Sequence, residues 1–301
     1  MTPRHLTLAT ALTLIASPLF SGEVISLYPD TIPNSLPHTV EETVEKKDGK
    51  VTVFRGSVDP TLEIFLPENA GKATPAVVIC PGGGYAIQVY HKEGTDIAKA
   101  FNAQGIAAFV LKYRIPNDAI MKDKSIGALQ DAQQAIKQVR DHSSEWKVDP
   151  EKVGIMGFSA GGHLASTAGT HFTKSHIPNP EGTSLRPDFM ILVYPVISML
   201  DEITHAGSRK NLLGENPDDS QIKLFSNELQ ITAETPPTWL THSGDDKAVP
   251  VANSIRFYNA LIEHNVPAEM HLYPAGGHGF VLKRPANVWM QQVFDWIESG
   301  I

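Results

Sequence analysis

Six short apolar runs, each separated from the next by a longer stretch, constrain this chain more than any other feature. They are "AVVIC" (76–80), "AAFVLKY" (107–113), "KVGIM" (152–156), "FMILVYPV" (189–196), "PTWLTH" (237–242) and "AEMHLYP" (268–274). They are nearly continuous in Val, Ile, Leu and Phe and do not alternate with polar residues. Strands that read this way are covered on both faces, as in a parallel sheet. Between them lie helical patterns. "GTDIAKAFNAQG" closes on Gly105 as a C′ residue. "SIGALQDAQQAIKQVRDH" lines up Ile126, Leu129, Ala132, Ile136 and Val139, and "VPVANSIRFYNALIEHNV" lines up Val251, Ile255, Tyr258, Leu261 and Ile262. Strand–helix alternation of this kind predicts a doubly wound α/β domain. Upstream, residues 23–50 are proline-rich and charged and read as a surface wrap, followed by the strand-like runs "VTVF" (51–54) and "TLEIFLP" (61–67). Residues 197–235 form a longer insertion, partly helical. It is placed to act as a partial cap, because open α/β sheets put their sites at the carboxyl ends of the strands.

The first residues carry a different signature. Arg4 and His5 precede the apolar run "LTLATALTLIA" (6–16), and the small residues Ser21 and Gly22 follow. This is the pattern of a cleaved export signal over residues 1–22, and the run is too short to span a bilayer. It places the protein in the periplasm or outside the cell, with residues 23–301 as one catalytic domain. No cysteine follows the run, which speaks against a lipid anchor. Cys80 is the only cysteine, so no intrachain disulfide forms. The net charge of −8 over 301 residues leaves no basic footprint for nucleic acid or anionic lipid.

"GFSAGGH" (157–163) directly follows the "KVGIM" strand and opens a helical stretch. Gly157, Ser159 and Gly161 fit G-x-S-x-G at a strand-to-helix turn, the nucleophile elbow. A serine there is pushed out on a strained turn, and side chains two residues to either side would strike the neighbouring strand and helix. A hydroxyl needs a base, and the base needs a carboxylate to orient it, in the chain order Ser, acid, His. Of 12 histidines, His278 stands in the glycine-rich loop "AGGHGF" after the last strand and is the candidate base. His163 follows the elbow too closely, and His171 and His176 lack a metal-ligand motif. The loop "THSGDDKAVP" supplies Asp245 and Asp246. Adjacent side chains diverge, so one of them meets His278. Asp246 is assigned, with Asp245 as the alternative and otherwise a loop-stabilising acceptor. The charge that develops on a carbonyl oxygen requires preorganised N–H groups. Candidates are Ala160, just after the serine, and Gly83 and Gly84 in "PGGGY" (81–85), after the "AVVIC" strand.

Together "PGGGY", "FVLKYR", "GFSAGGHLA", "TPPTWLTHSGDDKAVP" and "LYPAGGHGF" resemble the α/β-hydrolase esterases, in the branch of acetyl-xylan and feruloyl esterases. The resemblance runs from about Val77 to the C-terminus. It implies an eight-stranded, mostly parallel sheet with helices on both faces, and hydrolysis of carboxylic esters, often acetyl groups on plant-wall sugars. Position by position the family's triad falls on Ser159, Asp246 and His278. The related hormone-sensitive-lipase group begins its oxyanion loop with histidine. Pro81 stands there in this chain, so that group's lipid-ester preference does not carry over. The same fold also hosts peptidases and formamidases, and a non-catalytic carbohydrate-binding homologue would lack a triad member. No cofactor motif is present: neither a Rossmann fingerprint, nor a P-loop, nor a metal cluster. Two softer expectations remain. Glu93 and Arg114 either pair with each other in support of the oxyanion loop or are solvated surface charges. His205, Tyr85 and Tyr90 are candidates to line a sugar site or to be packing residues. The partner implied is an acylated carbohydrate or another small ester.

Overall fold

The computed structural model describes residues 22–68 and 73–300. The segment read as an export signal, apart from Gly22, lies outside the described residues. The strands are β1 (Glu23–Ser26), β2 (Thr43–Lys47), β3 (Lys50–Arg55), β4 (Thr61–Phe65), β5 (Thr74–Cys80), β6 (Ile87–Gln88), β7 (Ala107–Lys112), β8 (Val148–Phe158), β9 (Met190–Val193), β10 (Thr238–Ser243) and β11 (Ala268–Tyr273). Eight of them form one sheet in the order β1-β4-β7-β5-β8-β9-β10-β11. From β7 to β11 the neighbours run parallel, while β4 is antiparallel to β7 and β1 to β4. The fold is the mostly parallel sheet expected from the apolar runs. Every residue of β7, β9 and β10 is buried, which is why those runs show no polar alternation.

The helices are α1 (Asp96–Asn102), α2 (Lys124–Asp141), α3 (Ser143–Trp146), α4 (Ala160–Thr170), α5 (Ala206–Leu213), α6 (Asp219–Leu224), α7 (Ala252–Glu263), α8 (Ala286–Trp289) and α9 (Gln291–Glu298). They cover both faces. Val78, Cys80, Phe109, Leu111 and Ile155 point into a core shared with α2, α4 and α7, through residues such as Leu129, Ile136, Leu164 and Phe257. Their sequence neighbours Val77, Ile79, Ala108, Val110 and Met156 point into a second core shared with Phe101 of α1 and Val293 and Phe294 of α9. Each fully buried aliphatic or aromatic side chain contributes about 1.5–3 kcal/mol. The two layers hold the strand ends at fixed separations. No helix among the described residues is long and apolar enough to cross a membrane.

Three readings needed correction. Residues 23–50 are more than a wrap: they contain β1, an edge of the main sheet, and β2, which joins β3 and β6 in a small second sheet. "TVEKK" carries no apolar signal because all five residues of β2 are exposed. The inner face of α7 is rotated from the expected stripe, with Asn253, Ser254, Phe257 and Leu261 buried and Ile262 48% exposed. Asn253 faces inward because its carboxamide oxygen accepts the N–H groups of Ile197 and Ser198. β9 stops at Val193, and Tyr194 turns the chain with a positive φ of 37°.

Candidate active site

The site is assembled where the parallel strands end. β8 runs into Ser159, which has φ 53° and ψ −118° and is the N-cap of α4. Such a conformation costs a non-glycine residue about 1–3 kcal/mol and persists only where its surroundings impose it. Here they do. A Cβ on Gly157 would overlap the backbone of Gly161 and Gly162, and one on Gly161 would overlap the carbonyls of Cys80 and Pro81. The glycines therefore let α4 pack against β8 and β5 at backbone distance. The turn delivers the Ser159 hydroxyl to the top of the sheet at the positive end of an eleven-residue helix.

Two loops bring partners to it. Nε2 of His278, in the loop after β11, lies 2.9 Å from Oγ of Ser159. Nδ1 of the same ring lies 2.7 Å from Oδ2 of Asp246, in the loop after β10. The Asp246 carboxylate only accepts, so Nδ1 carries the proton and Nε2 is left to accept the hydroxyl proton of Ser159. The Asp246 side chain is fully buried. Its Oδ1 accepts from the backbone N–H groups of Ala248 and Val249 at 2.9 and 3.0 Å. His242 adds a contact of 3.3 Å to Oδ2. Burial pushes the Asp246 carboxyl up, but the hydrogen bonds from His242, His278 and Val249 outweigh it and hold the group well below the usual carboxylate range. Asp245 turns elsewhere, accepting from Ser243 Oγ and from the N–H groups of Gly276 and Gly277.

The loop after β5 faces the serine: a Cβ on Gly82 would stand 3.0 Å from Cβ of Ser159. Its carbonyls are tied back one by one. Pro81 O accepts from Tyr113 Oη at 2.7 Å. Gly82 O accepts from Val89 N–H, and Gly83 O from the N–H groups of Ala86 and Ile87. Gly84 O accepts from Nδ2 of Asn211 on α5, at 2.8 Å. Across a trans peptide the following N–H points opposite to the carbonyl. Tying back the carbonyls of Gly82 and Gly83 thus orients the amides of Gly83 and Gly84, for which no hydrogen bond is found among the described residues. Gly83 has φ +140°, and a side chain there would strike the carbonyl of Ile87, so only glycine fits.

The softer expectations divide. His205 caps α5 above this loop: its Cε1 would lie 3.7 Å from a Cβ on Gly84. Its Nδ1 bonds Ser208, leaving Nε2 free among the described residues. Tyr85 and Tyr90 do not line the site. Tyr85 is 2% exposed with its hydroxyl on His163 Nδ1 at 2.9 Å. Tyr90 is 5% exposed, donates to Glu63, and borders a separate cavity of about 560 Å³ with Lys50, Phe54 and Lys99. Tyr85 packs in the core with Tyr113 and His163, and Tyr90 in the opposite layer against Phe54. Glu93 and Arg114 are neither paired with each other nor on the surface. Arg114 is buried on Asp131 at 2.8 Å and ties Pro33 to α2. Glu93 is buried on Gly82 and Tyr194.

A family model described as BD-FAE matches residues 62–261. The chain belongs to the BD-FAE family. An acetylxylan esterase of Xylanibacter ruminicola is 38% identical over 247 residues, which cover 78% of this chain and 47% of that protein. An endo-1,4-beta-xylanase B of Butyrivibrio fibrisolvens is 38% identical over 74% of this chain and 35% of its own length. This chain therefore spans less than half of either curated relative. The crystal structure of an acetyl ester-xyloside bifunctional hydrolase from Caldicellulosiruptor lactoaceticus superposes with a TM-score of 0.77 at 36% identity, covering 92% of this chain and 96% of that one. The BD-FAE chain shares the α/β-hydrolase fold of these esterases.

Sequence reading missed several residues around this BD-FAE site: Tyr194, Asn211, His242, and the hydrogen bonds of Glu93 to Gly82 and Tyr194. Tyr194 and His242 had a usable signal, since both sit at the carboxyl ends of parallel strands, where sites form. Asn211 had none. It lies 127 residues from the carbonyl it holds.

Proposed function

We propose that the chain is an exported serine carboxylester hydrolase that removes acetyl or other short acyl groups from carbohydrate such as xylan. The reading rests above all on the hydrogen-bonded line from Ser159 through His278 to Asp246; the amides of Gly83, Gly84 and Ala160 are assigned to the oxyanion. The names of the relatives add the acyl sugar.

The scheme follows from the proton positions. Oγ of Ser159 attacks the ester carbonyl as its proton passes to Nε2 of His278. The tetrahedral oxyanion is held by the N–H groups of Ala160, Gly83 and Gly84 at the α4 N-terminus. The imidazolium is stabilised by Asp246. Collapse breaks the bond to the sugar oxygen, which takes the proton from Nε2, and leaves an acyl-serine. Water then attacks the acyl carbon, giving its proton to Nε2, and collapse returns that proton to Ser159 and releases the carboxylic acid. His205 and the cap segment carrying α5 form the wall beside the leaving sugar.

Ser159→Ala tests the reading. It is expected to lower kcat on a nitrophenyl acetate by on the order of a millionfold, and a serine-directed phosphonate is expected to label the native enzyme at Ser159. Acetate release from acetylated xylan is the matching assay for the sugar. An alanine variant that retains esterase activity would remove the serine mechanism. A serine-dependent enzyme that releases no acetate from xylan would remove the substrate alone.

A further inference from the structure

Beside the site lies a buried carboxyl that the hydrolytic scheme leaves without a task. Glu93 belongs to a single π-helical turn, His91–Thr95, which follows the oxyanion loop and β6. π-helical turns of this kind are frequent at functional sites. Its Oε2 accepts the N–H of Gly82 at 2.7 Å, and its Oε1 accepts the hydroxyl of Tyr194 at 2.9 Å. Both partners bear on the site. Gly82 is the residue whose carbonyl begins the peptide that ends in the Gly83 amide. Tyr194, held at φ 37° at the end of β9, places its ring 4.8 Å from the imidazole of His278. One carboxyl thus ties the loop that presents the amides to the ring against which the base rests.

We propose that Glu93 is a positioning residue, which through Gly82 and Tyr194 holds the oxyanion loop and His278 in register with Ser159. This rests on the hydrolase reading given above. Glu93 touches neither the serine nor, in the scheme, the substrate. Its effect is on the placement of groups that do. Two features explain why a carboxyl is needed. Gly82 N–H and Tyr194 Oη are both donors aimed at one spot, and both are buried, so without an acceptor each is left unpaired at a cost that favours rearrangement. The loop would relax towards other acceptors, and shifts of about 1 Å in such groups lower turnover by about a hundredfold. Burial pushes the Glu93 carboxyl up, against the hydrogen bonds from Tyr194 and Gly82 and the nearby His278.

The test compares Glu93→Ala, Glu93→Gln and Tyr194→Phe with Ser159→Ala, on nitrophenyl acetate, with denaturation midpoints measured in parallel. Glu93→Ala is expected to lose about a hundredfold in kcat with KM changed by no more than a few-fold, since the misplaced groups act in the transition state. Glu93→Gln keeps an oxygen for Gly82 N–H and offers its amide to the Tyr194 oxygen, so it is expected to recover to within about tenfold of the native kcat. Tyr194→Phe removes one of the two ties and is expected to lower kcat by roughly three- to tenfold. If Glu93→Ala does not fold, the Gln and Phe variants carry the test. A folded Glu93→Ala enzyme within twofold of native kcat overturns the proposal, as does a loss confined to KM or a Tyr194→Phe enzyme with native kcat. Each of these would coincide with an inactive Ser159→Ala, whereas an active Ser159→Ala would remove the hydrolase reading itself.

Discussion

Asp245 and Asp246 are neighbours in the chain whose carboxylates hold different parts of the site. Asp246 Oδ2 receives His278 Nδ1 at 2.7 Å, while Asp245 Oδ1 receives the N–H groups of Gly276 and Gly277, 2.9 and 2.8 Å away, in the loop that carries that histidine. One orients the ring and the other fastens the loop beneath it.

The pair therefore separates by substitution. Asp246→Asn places an amide against Nδ1–H and forces the other tautomer, which is expected to lower kcat by roughly four orders of magnitude. Asp245→Asn keeps an oxygen for the two glycine amides and is expected to lose no more than about tenfold. Steady-state kinetics of the two variants check this. The reverse ranking would move the acid to Asp245.

Folding stability is expected to fall with pH because of His163. The ring is fully buried, and Nε2 lies 2.8 Å from the carbonyl of Phe225 while Nδ1 faces the Tyr85 hydroxyl. Burial outweighs the bond to Phe225 and lowers the imidazole from its ordinary 6.5 to about 4. Between those values the unfolded chain binds a proton that the native state does not, so stability decreases as pH falls through this window. The loss reaches about 3 kcal/mol by pH 4. Burial lowers His171, His176 and His205 as well, adding slope of the same sign. The difference between native protein and His163→Gln isolates the one ring. Denaturant midpoints at pH 7 and pH 4.5 measure it, and equal pH dependence in the two proteins would contradict the assignment.

The elbow glycines make a steric prediction. Gly161→Ala drives a methyl into the Cys80 and Pro81 carbonyls, which are backbone and cannot turn away. It is expected to cost about 1–3 kcal/mol or more and to displace Ser159. Gly105→Ala is the control: its φ of +74° strains an alanine by about 1–2 kcal/mol, but no atom lies within 4 Å. Both variants are expected to melt earlier than native protein, with only Gly161→Ala losing activity. A fully active Gly161→Ala would contradict the packing account.

Acyl length is expected to count against the substrate. Within the 197–235 segment, α6 has no buried residue and is capped by Asp218, with Asp219 as its first residue. A long apolar channel would return about 0.8 kcal/mol for each buried CH₂, so kcat/KM would climb with chain length. Nitrophenyl esters from acetyl to octanoyl are expected to show the opposite, with acetyl first. A steady rise to octanoyl would overturn the short-acyl reading.

The sequence by itself determined the parallel part of the sheet, the alternation of strand and helix along it, and the elbow at Ser159, but neither the antiparallel edge strand β1 nor the small second sheet. What it determined depends on local matters: apolar runs long enough for a covered strand, a helix start, and glycines two residues either side of a serine. It also narrowed the base to the loop holding His278 and the acid to one of two adjacent carboxyls. Only the tertiary structure decided which carboxyl meets the ring, because a one-residue step in a turn redirects a side chain, and the spacing of β10 and β11 sets which direction reaches His278. It decided too that Arg114 belongs to Asp131 and Glu93 to Gly82 and Tyr194, and that Tyr85 and Tyr90 are buried. Glu93 and Tyr194 are 101 positions apart. Nothing in either local sequence encodes their meeting. It comes from β5 and β9 flanking β8 in the sheet, which sets the loops after all three strands around one serine.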